Sequence, residues 1–84
     1  MIHHTVKEFW DLYKKLPKDI QRLADKNYDL LRSNPRHKSV RLKKVEDYYS
    51  VRVGLGYRAL AMPDKGDLIW FWIGSHAEYD ALLG

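Results

Sequence analysis

The 84-residue chain contains no cysteine. That absence removes disulfides, thiolate nucleophiles and cysteine-ligated zinc together, and it fits a reducing compartment. No stretch approaches the roughly 18 consecutive apolar residues of a membrane span, so no membrane partner is expected. The opening Met1-Ile2-His3-His4-Thr5 lacks the basic start and apolar core of a secretory signal, and the expected location is the cytoplasm. Internal repeats, low-complexity segments and linkers are also missing, so residues 1–84 read as one small domain. The basic middle of the chain holds no group of Asp and Glu suited to Mg²⁺. A two-metal nuclease is therefore not expected, and neither a metal site nor a cofactor is assigned.

What the chain does have is aromatic surface and positive charge. Three Trp and six Tyr are many for this length; they can fill a small core and leave some rings for a partner. The net charge is +4. Between Arg32 and Arg58 stand eight basic residues against only Glu46 and Asp47, a local net charge of +6, while the remainder carries −2. A basic middle on a near-neutral body is the footprint of a polyanion-binding protein, although a solvated charged face has the same composition.

The hydrophobic period changes once. Val6, Phe9, Trp10, Tyr13 and Leu16 recur at helical spacing, with Thr5 placed as N-cap. Pro17 ends that helix and seats the next, whose stripe is Ile20, Leu23, Ala24, Tyr28 and Leu31. After Ser33-Asn34-Pro35 the period becomes two. Strands are expected at 40–45, at 49–55, at 57–62 and over Leu68–Ile73, with turns at Glu46-Asp47 and Pro63–Asp67. Residues 1–4 form a short strand or none. Ser75 and Glu78 make a capping box for a short last helix. The expected fold class is α+β: an N-terminal helical hairpin packed on an antiparallel meander of about four strands, then a short C-terminal helix.

If the helices cover Tyr49, Val51 and Val53, alternation sends Arg52 to the opposite face. Arg58, Arg41 and Lys43 join it, with His76 at its rim. Such a face has the parts for cutting RNA without a metal. Arginine forks grip phosphate oxygens in pairs, an imidazole exchanges protons near neutral pH, and Tyr48, Tyr57 and Tyr79 offer rings for unpaired bases. Structural roles suit the same residues: Arg52 paired with Glu46 or Asp47, Arg58 bonded to Asp80 or the C-terminus, and His76 simply opening a capped helix. Trp70 and Trp72 are expected in the core or under a partner.

Taken together, Phe9–Leu16-Pro17, Tyr49-Ser50-Val51-Arg52-Val53, Gly56-Tyr57-Arg58 and Ile73-Gly74-Ser75-His76-Ala77-Glu78-Tyr79-Asp80 resemble the RelE/ParE superfamily of toxins from bacterial type II toxin–antitoxin systems. The resemblance covers nearly the whole chain, and its end is similar to the YafQ- and HigB-like branches. It implies a ribosome-dependent mRNA endonuclease that inhibits translation by metal-independent RNA cleavage. It also implies mRNA and the ribosome as targets, and a cognate antitoxin protein as partner. By the same resemblance, Arg58, Arg52 and His76 are the expected catalytic residues. Arg41, Lys43, Lys44, Tyr57 and Tyr79 are the expected RNA contacts. A basic position of the RelE-like pattern is Ser50 here. ParE-like members of the superfamily instead poison DNA gyrase without cleaving nucleic acid, and a catalytically inactive RNA-binding relative is the third possibility.

Overall fold

The computed structural model describes residues 1–83. In chain order these form β1 (His3–Thr5), α1 (Lys7–Tyr13), α2 (Lys18–Ser33), β2 (Lys43–Val45), β3 (Tyr48–Val53), β4 (Tyr57–Asp64), β5 (Asp67–Ser75) and α3 (His76–Leu83). The α+β class, the helical pair, the meander and the terminal helix are as expected. The sheet differs: it has five strands in the order β1-β5-β4-β3-β2. β2 through β5 are antiparallel, but β1 runs parallel to β5, with His3 opposite Leu68 and Thr5 opposite Trp70. Three residues are too few to show a period, so the sequence carries no sign of this fifth strand.

β1 explains why Thr5 is not the expected N-cap. Thr5 is held in the ladder, and its hydroxyl instead accepts a hydrogen bond from the Trp10 indole at 2.9 Å. Val6 precedes α1 with no side-chain cap. Strand β1 is tied to the start of β5 on several atoms. Asp67 accepts the Ile2 N–H at 2.9 Å, the Ile2 carbonyl accepts from Leu68, and Trp70 Nε1 donates to His3 Nδ1 at 3.1 Å. The His3 ring also stacks on Trp70 and meets the Tyr28 edge.

α1 and α2 lie on one sheet face. Beneath them Leu31, Val40, Val51, Val53, Ala59, Ala61, Leu68, Trp70 and Ile73 make the core, with Phe9, Leu12, Ile20, Leu23 and Tyr57 packed against it. The strand expected from residue 40 shortens to Lys43–Val45, because Arg41 takes a left-handed φ of 47° that breaks extended backbone. β2 therefore ends opposite Ser50, and the outer edge of β3 beyond that point has no strand beside it. Two substitutes fill the gap. The Val40 carbonyl accepts the Arg52 N–H at 2.7 Å, and the buried Asn27 amide of α2 donates to the Arg52 carbonyl at 3.0 Å.

Along β4–β5 the register shifts between Leu60 and Ala61: Leu60 faces Trp72 while Ala61 faces Trp70, which leaves Phe71 unpaired. This β-bulge keeps both Trp70 and Ile73 in the core and turns Phe71 and Trp72 to the other face. That face is thus not purely cationic, as the alternation suggested. Its centre is apolar, with Tyr48 against Phe71, Trp72 against Tyr79, and Leu60 and Ser50 at 1% and 2% exposure. The Lys65-Gly66 turn between β4 and β5 has both residues at positive φ, the two-residue hairpin geometry that matches strand twist. No helix among the described residues is long and apolar enough to cross a membrane.

Two outcomes test this account. Asn27→Ala removes the donor to a buried carbonyl and should lower stability by about 1–3 kcal/mol in urea unfolding; Asn27→Asp, which cannot donate, should not rescue it. His3 is held neutral, its pKa lowered from 6.5 first by burial and then by the amino terminus and Arg32. Its contribution is therefore present above pH 6.5 and is lost as pH falls through the lowered folded-state value. The urea midpoint should drop more between pH 7.5 and 5.5 for the wild type than for His3→Asn; equal drops would refute this role for the His3–Trp70 bond.

Candidate nucleic-acid interface

Arg52 and Arg58 are directly cross-strand partners, and Arg58 in turn lies opposite Gly74. Both arginines point away from the helices, because Val51, Val53, Ala59 and Tyr57 on the same strands pack toward them. Directly opposed side chains have Cβ atoms about 4.5–5.5 Å apart, and like charges so placed repel. No acidic side chain among the described residues pairs with either. Arg58 Nη1 donates to the Tyr57 carbonyl at 2.8 Å, which engages one prong of the fork and leaves the other. The pairings of Arg52 with Glu46 or Asp47, and of Arg58 with Asp80, do not form. Two half-buried arginines thus lie opposite one another with no salt bridge to an acid among the described residues; the C-terminal carboxylate, the other expected partner of Arg58, lies outside them.

The imidazole arrives from β5. Ser75 ends that strand and forms the expected capping box: the Glu78 carboxylate accepts the Ser75 N–H at 3.0 Å, and the Ser75 hydroxyl accepts the Glu78 N–H at 3.2 Å. The Ser75 bonds hold the Glu78 carboxyl below the usual carboxylate range. The first residue of α3 is His76, whose backbone N–H donates to the Gly56 carbonyl at 2.7 Å. This bond ties His76 to the Gly56-Tyr57-Arg58 turn and so to the arginine row. His76 Nδ1 lies 3.0 Å from the Asp80 carboxylate, one helical turn on. Both side chains are exposed on the first turn of α3. Tyr79 sits 6.2 Å from the imidazole and 6.4 Å from Trp72, centroid to centroid. Gly74 makes room for this cover: a Cβ there would meet the Trp72 ring at 2.6 Å.

The remaining expected contacts divide. Lys43 is exposed opposite Ser50 and shares the arginine face. Lys44 lies opposite Tyr49, on the helix side of the sheet edge. Arg41 is exposed in the turn that precedes β2. Tyr79 stands beside His76. The Tyr57 ring packs against the core, on the face opposite Arg58, because its position alternates with that of the arginine. Sequence reasoning missed Asp80 as the partner of His76. The signal was present in the four-residue spacing, which places two side chains on one helix face. It also missed the Tyr48–Phe71 pair, which exists only through the bulge. Among the described residues no three His, Asp or Glu side chains gather to hold a metal ion.

The family model for the ParE-like toxin domain matches residues 18–81. The chain belongs to the RelE/ParE superfamily of toxins. Among solved structures, the fold is similar to that of the RelB–RelE antitoxin–toxin complex from Methanococcus jannaschii, with a TM-score of 0.72, 19% identity, and coverage of 96% of this chain and 99% of that one. YafQ from Escherichia coli strain BL21(DE3) gives 0.71 at 17% identity, covering 98% and 97%. The YoeB/ParE toxin from Agrobacterium tumefaciens gives 0.67 at 14% identity, covering 90% and 99%. No curated protein matches the chain in sequence. At these identities the structures speak for the fold of the ParE-like domain, and the residues above must speak for its chemistry.

The arginine row gives a direct test. Replacing one member should relieve repulsion, so Arg52→Gln is expected to stabilise the domain by about 0.2–1 kcal/mol at low salt. The gain should shrink as ionic strength rises. A destabilised Arg52→Gln would mean that the guanidinium is held by partners instead.

Proposed function

We propose that this domain is the toxin of a toxin–antitoxin pair and that it cleaves mRNA on the ribosome. The observation that carries this reading is the Arg52–Arg58 pair, in no salt bridge among the described residues and backbone-tied through the Gly56 turn to a histidine poised on a carboxylate. Two adjacent forks without a salt bridge suit a phosphodiester, whose charge grows in the transition state. The RNA 2′-oxygen attacks the neighbouring phosphorus, the bond to the 5′-oxygen breaks, and His76 exchanges a proton with the reacting oxygens. Asp80 orients the imidazole, and the Tyr79 and Trp72 rings beside it offer stacking surface for a base. Ser50 is buried where RelE-like toxins carry a further cation, which leaves phosphate binding to the arginine pair.

A cognate antitoxin is the natural partner: the RelB–RelE structure from Methanococcus jannaschii and the RelBE structure from Escherichia coli are antitoxin–toxin complexes. The ParE-like description of the matching family favours one other reading, a gyrase-directed inhibitor that binds without cleaving. The two separate on expression of the domain alone. The nuclease reading expects new transcript 5′ ends on translated messages. His76→Ala should slow their appearance by about 10²–10⁴-fold, and Arg58→Gln by about 10²–10³-fold. DNA damage with intact messages, or full cleavage by both variants, would exclude it.

A further inference from the structure

A second basic site lies around the edge of β3 from the arginine row. A cleft of about 240 Å³ opens between α2, the 36–42 turn and the end of β3. Its lining includes Lys26, Lys38 and Arg52, with the amide of Asn27 and the hydroxyl of Ser39, and contains no acidic residue. Neither lysine is paired with an acid among the described residues. The acids nearest in sequence to Lys26 are engaged elsewhere: Asp25 accepts the Tyr13 hydroxyl at 2.8 Å, and Asp29 lies 4.0 Å from Arg32.

The cleft is a built feature of the fold. Its three walls are joined by the two bonds on the Arg52 backbone, one to Asn27 from the helix beside Lys26 and one to Val40 from the turn that carries Lys38. Gly54, at φ 66°, lets β3 approach α2 so closely that a Cβ would meet Leu23 at 2.7 Å. The apolar Leu55, 88% exposed, forms one lip. Lysine is a point charge that neutralises a phosphate without reading sequence. An exposed aliphatic side chain beside it offers contact to a sugar or base.

We propose that this cleft is a backbone-phosphate subsite: Lys26 and Lys38 hold a phosphodiester of a single RNA strand that continues past Arg52 to the Arg58–His76 site. Arg52 joins the two places: its side chain stands on the Arg58 face, while its backbone carbonyl and N–H bond the Asn27 and Val40 walls of the cleft. The subsite rests on the reading of the domain as an RNA-cleaving toxin, and it adds two residues outside that site. They lie twelve positions apart on different elements, so no sequence pattern joins them.

The test uses a short single-stranded RNA made uncleavable by 2′-O-methyl groups, with binding followed by fluorescence anisotropy over a range of salt. Each phosphate contact on a single strand contributes about 0.7 to the slope of log affinity against log salt. Lys26→Gln/Lys38→Gln, which vacates that one phosphate, should therefore flatten the slope by about 0.7, and Lys26→Arg/Lys38→Arg should restore it. Lys14→Gln/Lys15→Gln removes the same charge at the α1–α2 connection, away from the cleft, and should change the slope by less than half as much. Equal slopes for the two glutamine variants, or a slope unchanged from wild type, overturn the proposal. A titration with inorganic phosphate alone distinguishes a free-anion site. Saturable amide shifts at Ser39 and Gly54 together with an unaltered RNA slope would also overturn it. Because the RNA is not cut, a negative result here leaves the cleavage test on Arg58 and His76 standing, and failure of that test leaves this slope measurable.

Discussion

Between Leu60 and Ala61 the β4–β5 ladder slips by one residue, and Phe71 is left without a cross-strand partner. Much of the molecule follows from that slip. Strict alternation from Leu68 and Trp70 would send Trp72 under the helices. The bulge instead returns the core to Ile73 and turns Phe71 and Trp72 to the far face. The far face then carries apolar surface that requires a cover. Tyr48 and α3 supply it, with the Tyr79 ring of α3 against Trp72. The helix that shields this surface is the one that begins at His76. The position of the imidazole is in this sense a by-product of packing: β5 ends where Gly74 admits the Trp72 ring, and the capping box starts the helix two residues later.

The second constraint is charge. Two arginines opposite one another, with no salt bridge to an acid among the described residues, are an arrangement that folding alone has no reason to keep. The backbone around them is nonetheless unusually well tied, by Asn27 and Val40 on Arg52 and by the Gly56–His76 bond next to Arg58. Rigid backbone under repelling side chains is what preorganisation for an anion looks like. The repulsion is borne by the free domain, and a bound anion would relieve it. A site on loops would let the side chains separate and relax.

How much of this was legible varies with the kind of signal. The hairpin turn at Pro63–Asp67 and the Ser75–Glu78 box were readable because turn and cap chemistry is local. The bulge was not, since six consecutive apolar residues over 68–73 carry no alternation to interrupt. Asn27 sits in the apolar stripe of α2 and looks like a break in it; only the missing length of β2 reveals what its amide is for. β2 was overestimated because nothing in Arg41 announces a left-handed backbone. Period two places Arg52 and Arg58 on one face and sends the alternating Tyr57 ring to the other.

The parallel pairing of β1 with β5 has a consequence for biosynthesis. His3 and Trp70 are 67 positions apart, and Ile2 and Asp67 are 65 apart; contacts this remote in sequence form late. On a translating ribosome the first strand has no neighbour, and α1 has no floor, until nearly the whole polypeptide has been made. The histidine follows only afterwards. β1 and the helix above it therefore dock only once β5 is available, whatever the order in which the rest of the sheet assembles.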